Sequence, residues 1–385
     1  MPAATGIAYN HFMSQRSYYI DRLRTAMTFI VLSAHIWMTY GSDGNWFYRE
    51  IGPSRSLFSV VGTLYCLTNQ AFLMGLFFLL AGYFTPASYD RKLATRFVID
   101  RFLRLGLPLL AFGLVLAPLT IAMVGSVFGP GFWPSITLLW RTFNFENGPM
   151  WFAEALLFMS LGYSLWRVLL RSHQAPIRER TPRPVPSNAK WFLSAVSVGL
   201  ASYIVRIWAP VDTRILGLWL GFFPAYIFLF VIGIIAWRHD WLSQLSWKQT
   251  RLWLVVAIAT WPVLPVTAAV LKLRGHNPYL SGAGTLPSFL WALWEPFVAW
   301  GAIASVLMWF RTSFNQPSPT LDWLGRRAYA VYVIHPPVLV AICLFFRTWH
   351  APAPLKFALV GTLGCAATWL AADPLVRLPG LKKIF

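Results

Sequence analysis

The sequence predicts an all-α, polytopic membrane protein of about ten transmembrane helices, with both termini in the cytoplasm. Of its 385 residues, 57% are hydrophobic and only 12% are charged, whereas soluble domains are about 45–50% apolar and about 25% charged. The apolar residues form long blocks. Because lipid offers no hydrogen-bond partners to an open backbone, helix is the expected form of each block.

Ten apolar blocks are each about long enough to cross a bilayer core, which takes roughly 17–25 residues. They cover residues 23–40, 59–84, 105–125, 150–170, 191–208, 216–237, 252–271, 287–310, 329–346 and 356–372. Several contain proline, for example Pro108, Pro224 and Pro262. Neighbouring helices can satisfy the backbone groups that a proline leaves unpaired, so these blocks still qualify as spans.

The loops between the blocks divide the net charge of +19 unequally. Ten spans place both termini on one side, and the loops of that side hold 23 of the 32 Lys and Arg residues, against 9 on the other. Lys and Arg concentrate in cytoplasmic loops, so the termini are predicted to face the cytoplasm from the plasma (inner) membrane. Since the basic residues lie between apolar blocks rather than on one patch, they indicate topology, and no nucleic-acid partner is expected.

Residues 1–385 are interpreted as a single transmembrane domain, because the sequence shows no internal repeat and has no room for an added soluble domain. The most polar linker, 172–190, contains four prolines and predicts a flexible cytoplasmic loop between two five-helix halves. The first apolar block follows Asp21 and Arg22 and is interpreted as a retained span, not a cleavable signal. The three cysteines lie in apolar blocks and show no metal-ligand spacing, so no metal is expected.

Two histidines within apolar blocks are candidate catalytic residues, because ionisable side chains inside a membrane are costly. Arg24 and His35 are eleven residues apart, which is about 1100° of helix, so they share one face about 16 Å apart. This spacing puts Arg24 at the cytoplasmic rim and His35 near the middle of a core about 30 Å thick. His335 lies eight residues past Arg327, about 12 Å in from the same side. Histidine accepts a hydroxyl proton near neutral pH, which suits a general base.

A cluster of arginines follows the run Phe77–Phe84 at the predicted cytoplasmic face. Arg101 and Arg104 share a helix face at i, i+3, and arginine captures phosphate in bidentate fashion. The cluster therefore predicts a site for a phosphorylated cofactor. The alternative is positive-inside anchoring or contact with anionic lipid.

Two acidic residues also fall within apolar blocks. Glu154 follows Trp151 near the outer end of the fourth block and joins the candidate catalytic residues. Glu295 lies about 12 Å in from the outer side and is expected to pair with a buried Arg or Tyr.

These motifs, in this order, resemble the membrane acyltransferase 3 family over about residues 17–377. The matching elements are Asp21-x-x-Arg24-x10-His35, Phe77-Phe78-x-x-Ala81-Gly82-Tyr83-Phe84, Arg101-x-x-Arg104-Leu-x-x-Pro108, Trp151-Phe152, Leu324-Gly325, Tyr329-x-x-Tyr332-x-x-His335 and Asp373-Pro374. The start Arg16-x-Tyr-x-x-Asp-x-x-Arg24 is also similar to the branch that modifies periplasmic glucans. The sequence departs from the family at Ala81, where serine is usual, and at Glu154, three residues rather than five after the tryptophan.

The resemblance implies an enzyme that takes an acyl group, acetyl or succinyl, from cytoplasmic acyl-CoA. It implies transfer to a hydroxyl of an extracytoplasmic carbohydrate or glycolipid acceptor. Arg24, Arg101 and Arg104 would hold the phosphates of the donor, and Tyr332 belongs to the same donor-binding set. His35 would act as general base or briefly carry the acyl group, with His335 and Glu154 completing the catalytic set.

Two other functions also accommodate ten spans with buried charges. A transporter or lipid flippase would move its substrate without consuming acyl-CoA, and such proteins often show inverted sequence symmetry, which is absent here. A non-catalytic membrane scaffold would tolerate replacement of both histidines, apart from effects on stability.

Overall fold

The computed structural model describes residues 17–142, 145–170, 180–274 and 284–384. The predicted all-α fold is confirmed, and within these residues the β-type pairings are two isolated bridges. The helices are α1 (Tyr18–Thr39), α2 (Leu57–Arg101), α3 (Leu107–Ala111), α4 (Ala117–Phe128), α5 (Phe132–Arg141), α6 (Trp151–Leu169), α7 (Asn188–Trp208), α8 (Phe223–His239), α9 (Trp241–Gln244), α10 (Trp247–Thr260), α11 (Val263–Leu273), α12 (Leu286–Ser313), α13 (Pro319–Phe345) and α14 (Ala353–Arg377). Two π-helical turns, Phe102–Gly106 and Phe112–Leu116, join α2, α3 and α4.

Eight helical segments in the described residues are long and apolar enough to cross a membrane. One of them, Leu57–Phe128, has 72 residues and carries two of the predicted blocks. Helix α1 carries the first block but is not among the eight, because Asp21, Arg22 and Arg24 lower its hydropathy. The ten predicted blocks thus fall largely on helices, and the chain is a multi-pass membrane protein.

Helix α2 consists of two helical parts joined by a sharp reversal at Leu93. This residue has φ 59° and ψ 174°, a strained conformation for a branched side chain. The Arg101 Nη2 donates to the Ser88 Oγ at 2.8 Å, although thirteen residues of straight helix would separate their backbones by about 20 Å. Lys92 pairs with Asp100 at 2.7 Å across the same turn. The reversal returns the chain into the bundle and brings Arg101 and Arg104 beside the part of α2 that precedes Leu93.

A close crossing of α2 and α8 fixes the wall of the bundle next to the Phe77–Phe84 run. A Cβ atom on Gly82 would overlap the carbonyl oxygen of Phe230, and one on Gly233 would overlap the carbonyl oxygen of Leu79. Small residues let membrane helices approach to backbone contact. Gly82 is therefore a packing residue, and its motif positions α2 rather than supplying a chemical group.

Ion pairs join α1 to α13 and α7 to α12. Arg22 at the start of α1 pairs with Asp322 at the start of α13 at 2.7 Å. The expectation that Glu295 pairs within the bundle is confirmed, because Arg206 donates to its carboxylate and both side chains are buried. Removing one partner of such a buried pair leaves an uncompensated charge.

On each of the two predicted sides of the bundle, residues of different loops contact one another. On the side of the N-terminus, the Thr181 N–H donates to the Arg238 carbonyl oxygen at 3.0 Å. On the opposite side, Arg214 pairs with Glu146 at 2.8 Å. That the first side is the cytoplasm stays a prediction. Of the predicted loop 172–190, residues 172–179 lie outside the described residues, residues 180–187 are not helical, and α7 begins at Asn188.

Candidate active site

A cavity of about 440 Å³ lies between α1, α2, the 102–106 turn, α6 and α13. It begins among arginines near the start of α1 and reaches His35, eleven residues along the same helix, which is about 16 Å. Four residues of the predicted site on three segments therefore line one continuous space: Arg24, His35, Arg101 and Arg104. Tyr332 of α13 lines it as well.

The mouth of the cavity is strongly positive. Arg24, Arg101, Arg104 and Arg326 line it, whereas Asp21 is the one acidic residue among the described side chains that line the cavity. This excess of guanidinium groups in a partly enclosed space favours an anion with several charges. Nothing in the sequence around Arg326 distinguishes it from an anchoring arginine.

Two of these arginines are held in place by their neighbours. Arg101 donates to Ser88 and lies 4.7 Å from the centre of the Phe97 ring. Arg104 Nε pairs with Asp100 at 3.1 Å. Arg101 and Arg104, which the sequence predicts on one helix face, both line this cavity, although the 102–106 turn is π-helical rather than α-helical.

His35 lies at the inner part of the cavity, stacked on an indole ring. The ring centres of His35 and Trp46 are 3.8 Å apart with an interplanar angle of 13°. Its Nδ1 is buried and has no hydrogen-bond partner among the described residues. No carboxylate of the described part of the chain orients this imidazole, which distinguishes it from a histidine held in a catalytic triad.

His335 is fully buried beside His35, with ring centres 5.2 Å apart. Pro336 has no N–H to donate to the Tyr332 carbonyl, four residues earlier, and the His335 Nδ1 lies 2.7 Å from that oxygen instead. Because a carbonyl oxygen only accepts, Nδ1 must carry the hydrogen, which leaves Nε2 of a neutral ring as an acceptor. That Nε2 is buried and unpartnered among the described residues. His335 is not among the residues that line the cavity, and its catalytic role stays a prediction.

Tyr332 joins α13 to the start of α6. Its hydroxyl donates to the Pro149 carbonyl oxygen, and its ring centre lies 6.1 Å from that of His335. With its proton engaged, Tyr332 forms a wall of the cavity next to the histidines. Its predicted part in donor binding stays a prediction.

Glu154 lies outside this cavity, in a polar cluster with Glu146, Asn147 and Arg214. Its carboxylate accepts from the Asn147 Nδ2 at 2.7 Å, and Arg214 donates to the Asn147 Oδ1 at 2.7 Å. Glu154 is not among the residues that line the cavity. Its catalytic role stays a prediction, and its contacts hold the loop before α6 that carries Pro149.

The site can therefore bind a polyanion at one end and move a proton at the other. The model of the acyltransferase domain family matches residues 17–373, which is nearly the whole chain. This chain belongs to the acyltransferase 3 family. It is an acyltransferase, and together with its helices this makes it a membrane acyltransferase.

Relatives of this acyltransferase cover nearly the whole chain. The chain is 24% identical over 406 residues to a protein of Salmonella gallinarum named glucans biosynthesis protein C, an alignment that covers 96% of this chain and 94% of that one. It is 27% identical over 399 residues to the protein of the same name from Salmonella schwarzengrund, with the same coverage. No solved structure matches this chain. The resemblance to the family and to its glucan branch is confirmed.

Proposed function

We propose that this acyltransferase moves an acetyl or succinyl group from cytoplasmic acyl-CoA to a hydroxyl of an extracytoplasmic carbohydrate acceptor. It would do so in the plasma (inner) membrane. The observation that carries the proposal is the single cavity that joins the arginine mouth to His35. The name of the relatives, which refers to glucans, supports a carbohydrate acceptor.

The mouth fits the nucleotide end of the donor. Arg24, Arg101 and Arg326 present guanidinium groups to the same space, and bidentate arginine contacts suit phosphate oxygens. Anchoring the phosphates there directs the rest of the donor along the cavity, which fixes the distance from the anchor to the thioester.

Amide side chains along the cavity suit the peptide-like arm of the donor. Asn69 and Gln70 line the wall between the mouth and His35. The Asn69 Nδ2 donates to the Tyr65 carbonyl oxygen and the Gln70 Nε2 donates to the Tyr226 hydroxyl. Their carbonyl oxygens are the groups that accept hydrogen bonds from amide N–H groups of the arm.

His35 would act at the thioester end. It takes the proton of the acceptor hydroxyl as the oxygen bonds to the thioester carbonyl carbon, and it returns that proton to the sulfur as the carbon–sulfur bond breaks. His335 is behind His35 and fully buried. We therefore assign contact with the reacting atoms to His35, and support of His35 to His335.

Mass spectrometry of cell-envelope glycans tests the function. Cells that lack the protein are expected to lose an acyl mass from one glycan class, and expression of the intact protein should restore it. Purified protein in liposomes should consume acetyl-CoA or succinyl-CoA only when such a glycan is present. Identical glycan spectra with and without the protein would refute the proposed function.

A further inference from the structure

The loop between α1 and α2 places Trp46 on the face of His35. Their ring centres are 3.8 Å apart and nearly parallel, and the indole is also parallel to the His335 ring at 5.8 Å. The three rings form one cluster, of which His35 lines the inner part of the cavity. Trp46 lies in a polar loop of unremarkable sequence, and no motif of the family resemblance contains it.

The loop is anchored so that the indole keeps this position. The N–H groups of Glu50 and Ile51 donate to the Thr39 carbonyl oxygen at 2.9 and 3.0 Å. The Thr39 hydroxyl donates to the Tyr48 carbonyl oxygen at 3.2 Å. Lys356 of α14 pairs with Glu50 and is itself buried. Residues that follow Trp46 in the loop are thus tied to α1 and α14.

Protonated His35 needs a neighbouring group that stabilises its positive charge. A base that takes a proton inside a membrane becomes a cation in a medium of low dielectric constant, where an unpaired charge is costly. Its Nδ1 has no hydrogen-bond partner among the described residues. The face of tryptophan attracts a cation that lies within about 6 Å of the ring centre. Trp46 lies within this distance of His35 and is the nearer of the two described rings that stack on it.

We propose that Trp46 is a positioning residue for acyl transfer. Its indole face holds the His35 ring in the orientation that reaches the acceptor hydroxyl, and it stabilises the positive charge that His35 acquires with the proton. This inference rests on the proposed function. It assigns to an aromatic face the task that a carboxylate performs in a triad.

Two variants of Trp46 distinguish an effect of its aromatic face from an effect of side-chain volume. Trp46→Leu is expected to lower kcat by about tenfold, which corresponds to a desolvated cation–aromatic contact, with the KM for acyl-CoA unchanged. Trp46→Phe keeps an aromatic face and should retain kcat within about threefold of the parent. Equal losses in the two variants, or kcat at the parent value in Trp46→Leu, would overturn the inference.

A second measurement does not depend on the fold of the leucine variant. Fluorinated tryptophan incorporated throughout the chain weakens the aromatic face without changing its shape. It should lower kcat in the parent more than in Trp46→Phe, since the other tryptophans are common to both. An equal effect in both proteins would overturn the inference.

These results are distinguishable from a failure of the proposed function. If the parent transfers no acyl group from acyl-CoA to any glycan, the proposed function fails and the Trp46 variants carry no activity to compare. If the parent is active and depends on His35 while both Trp46 variants match it, only the inference fails.

Discussion

Replacement of His35 with alanine is expected to lower the kcat of acyl transfer by about a thousandfold, the middle of the range for a lost general base. The KM for acyl-CoA should stay within about twofold, because the arginine mouth is about 16 Å away along α1 and remains intact. Steady-state kinetics of purified protein in liposomes, with acyl-CoA and a glycan acceptor, measures both constants.

His350→Ala is the matched control, because His350 is exposed in the loop after α13 and is not among the cavity-lining residues. Its kinetics should equal those of the parent. An active His35→Ala protein at the parent rate would exclude the general-base assignment. A parallel rise in KM would instead indicate that the substitution had distorted the cavity.

The double variant Arg24→Gln, Arg101→Gln is expected to raise the KM for acyl-CoA by about a hundredfold with kcat nearly unchanged. A hydrogen bond to a charged group contributes about 1.5–3 kcal/mol, so each lost guanidinium contributes about a tenfold weakening. The two arginines bind the donor equally well in the ground state and in the transition state, so their loss raises KM and leaves kcat nearly unchanged. The same kinetic assay measures the effect, and higher salt should raise the KM of the parent toward that of the variant.

Two controls separate charge from structure in this experiment. Ser88→Ala removes the hydrogen bond that Arg101 makes across the Leu93 reversal but leaves the cation in place, so its KM should stay near the parent value. Arg141→Gln removes an exposed arginine of α5 that does not line the cavity and should change nothing. A normal KM in the double variant would contradict donor binding at the mouth.

The membrane helices were predictable from the sequence because the length of an apolar block is enough to identify a membrane-spanning helix. Two features were not. The reversal at Leu93 occurs within helical residues 90–104, where the local sequence carries neither proline nor glycine at the turn. The second feature is the length of α2. This helix continues past the end of its apolar block into a predicted loop, because helical hydrogen bonds continue outside the lipid.

The site was predictable where a charge interrupts an apolar block. His35 and Arg24 stand out for that reason, and helical geometry alone puts them on one face. Trp46 and Arg326 were missed, because an aromatic residue in a loop and an arginine at a helix end are ordinary in membrane proteins. Only the folding of the loop back onto α1 shows that the indole covers His35.

The position of Glu154 relative to the cavity could not be predicted from the sequence. An acidic residue in an apolar block predicts function, yet its carboxylate contacts Asn147 and lies outside the cavity. A side chain at a helix start can turn to the loop that precedes it, and periodicity along the helix does not contain that information.

The structure of the protein in lipid nanodiscs with a thioether analogue of acetyl-CoA tests the central claim most directly. The analogue cannot transfer its acyl group, so it should remain bound and be visible by electron cryomicroscopy. We predict its phosphates at Arg24 and Arg101, its arm beside Asn69 and Gln70, and its sulfur next to His35. An analogue that binds outside this cavity, or within it with the phosphates at the histidines, would contradict the account.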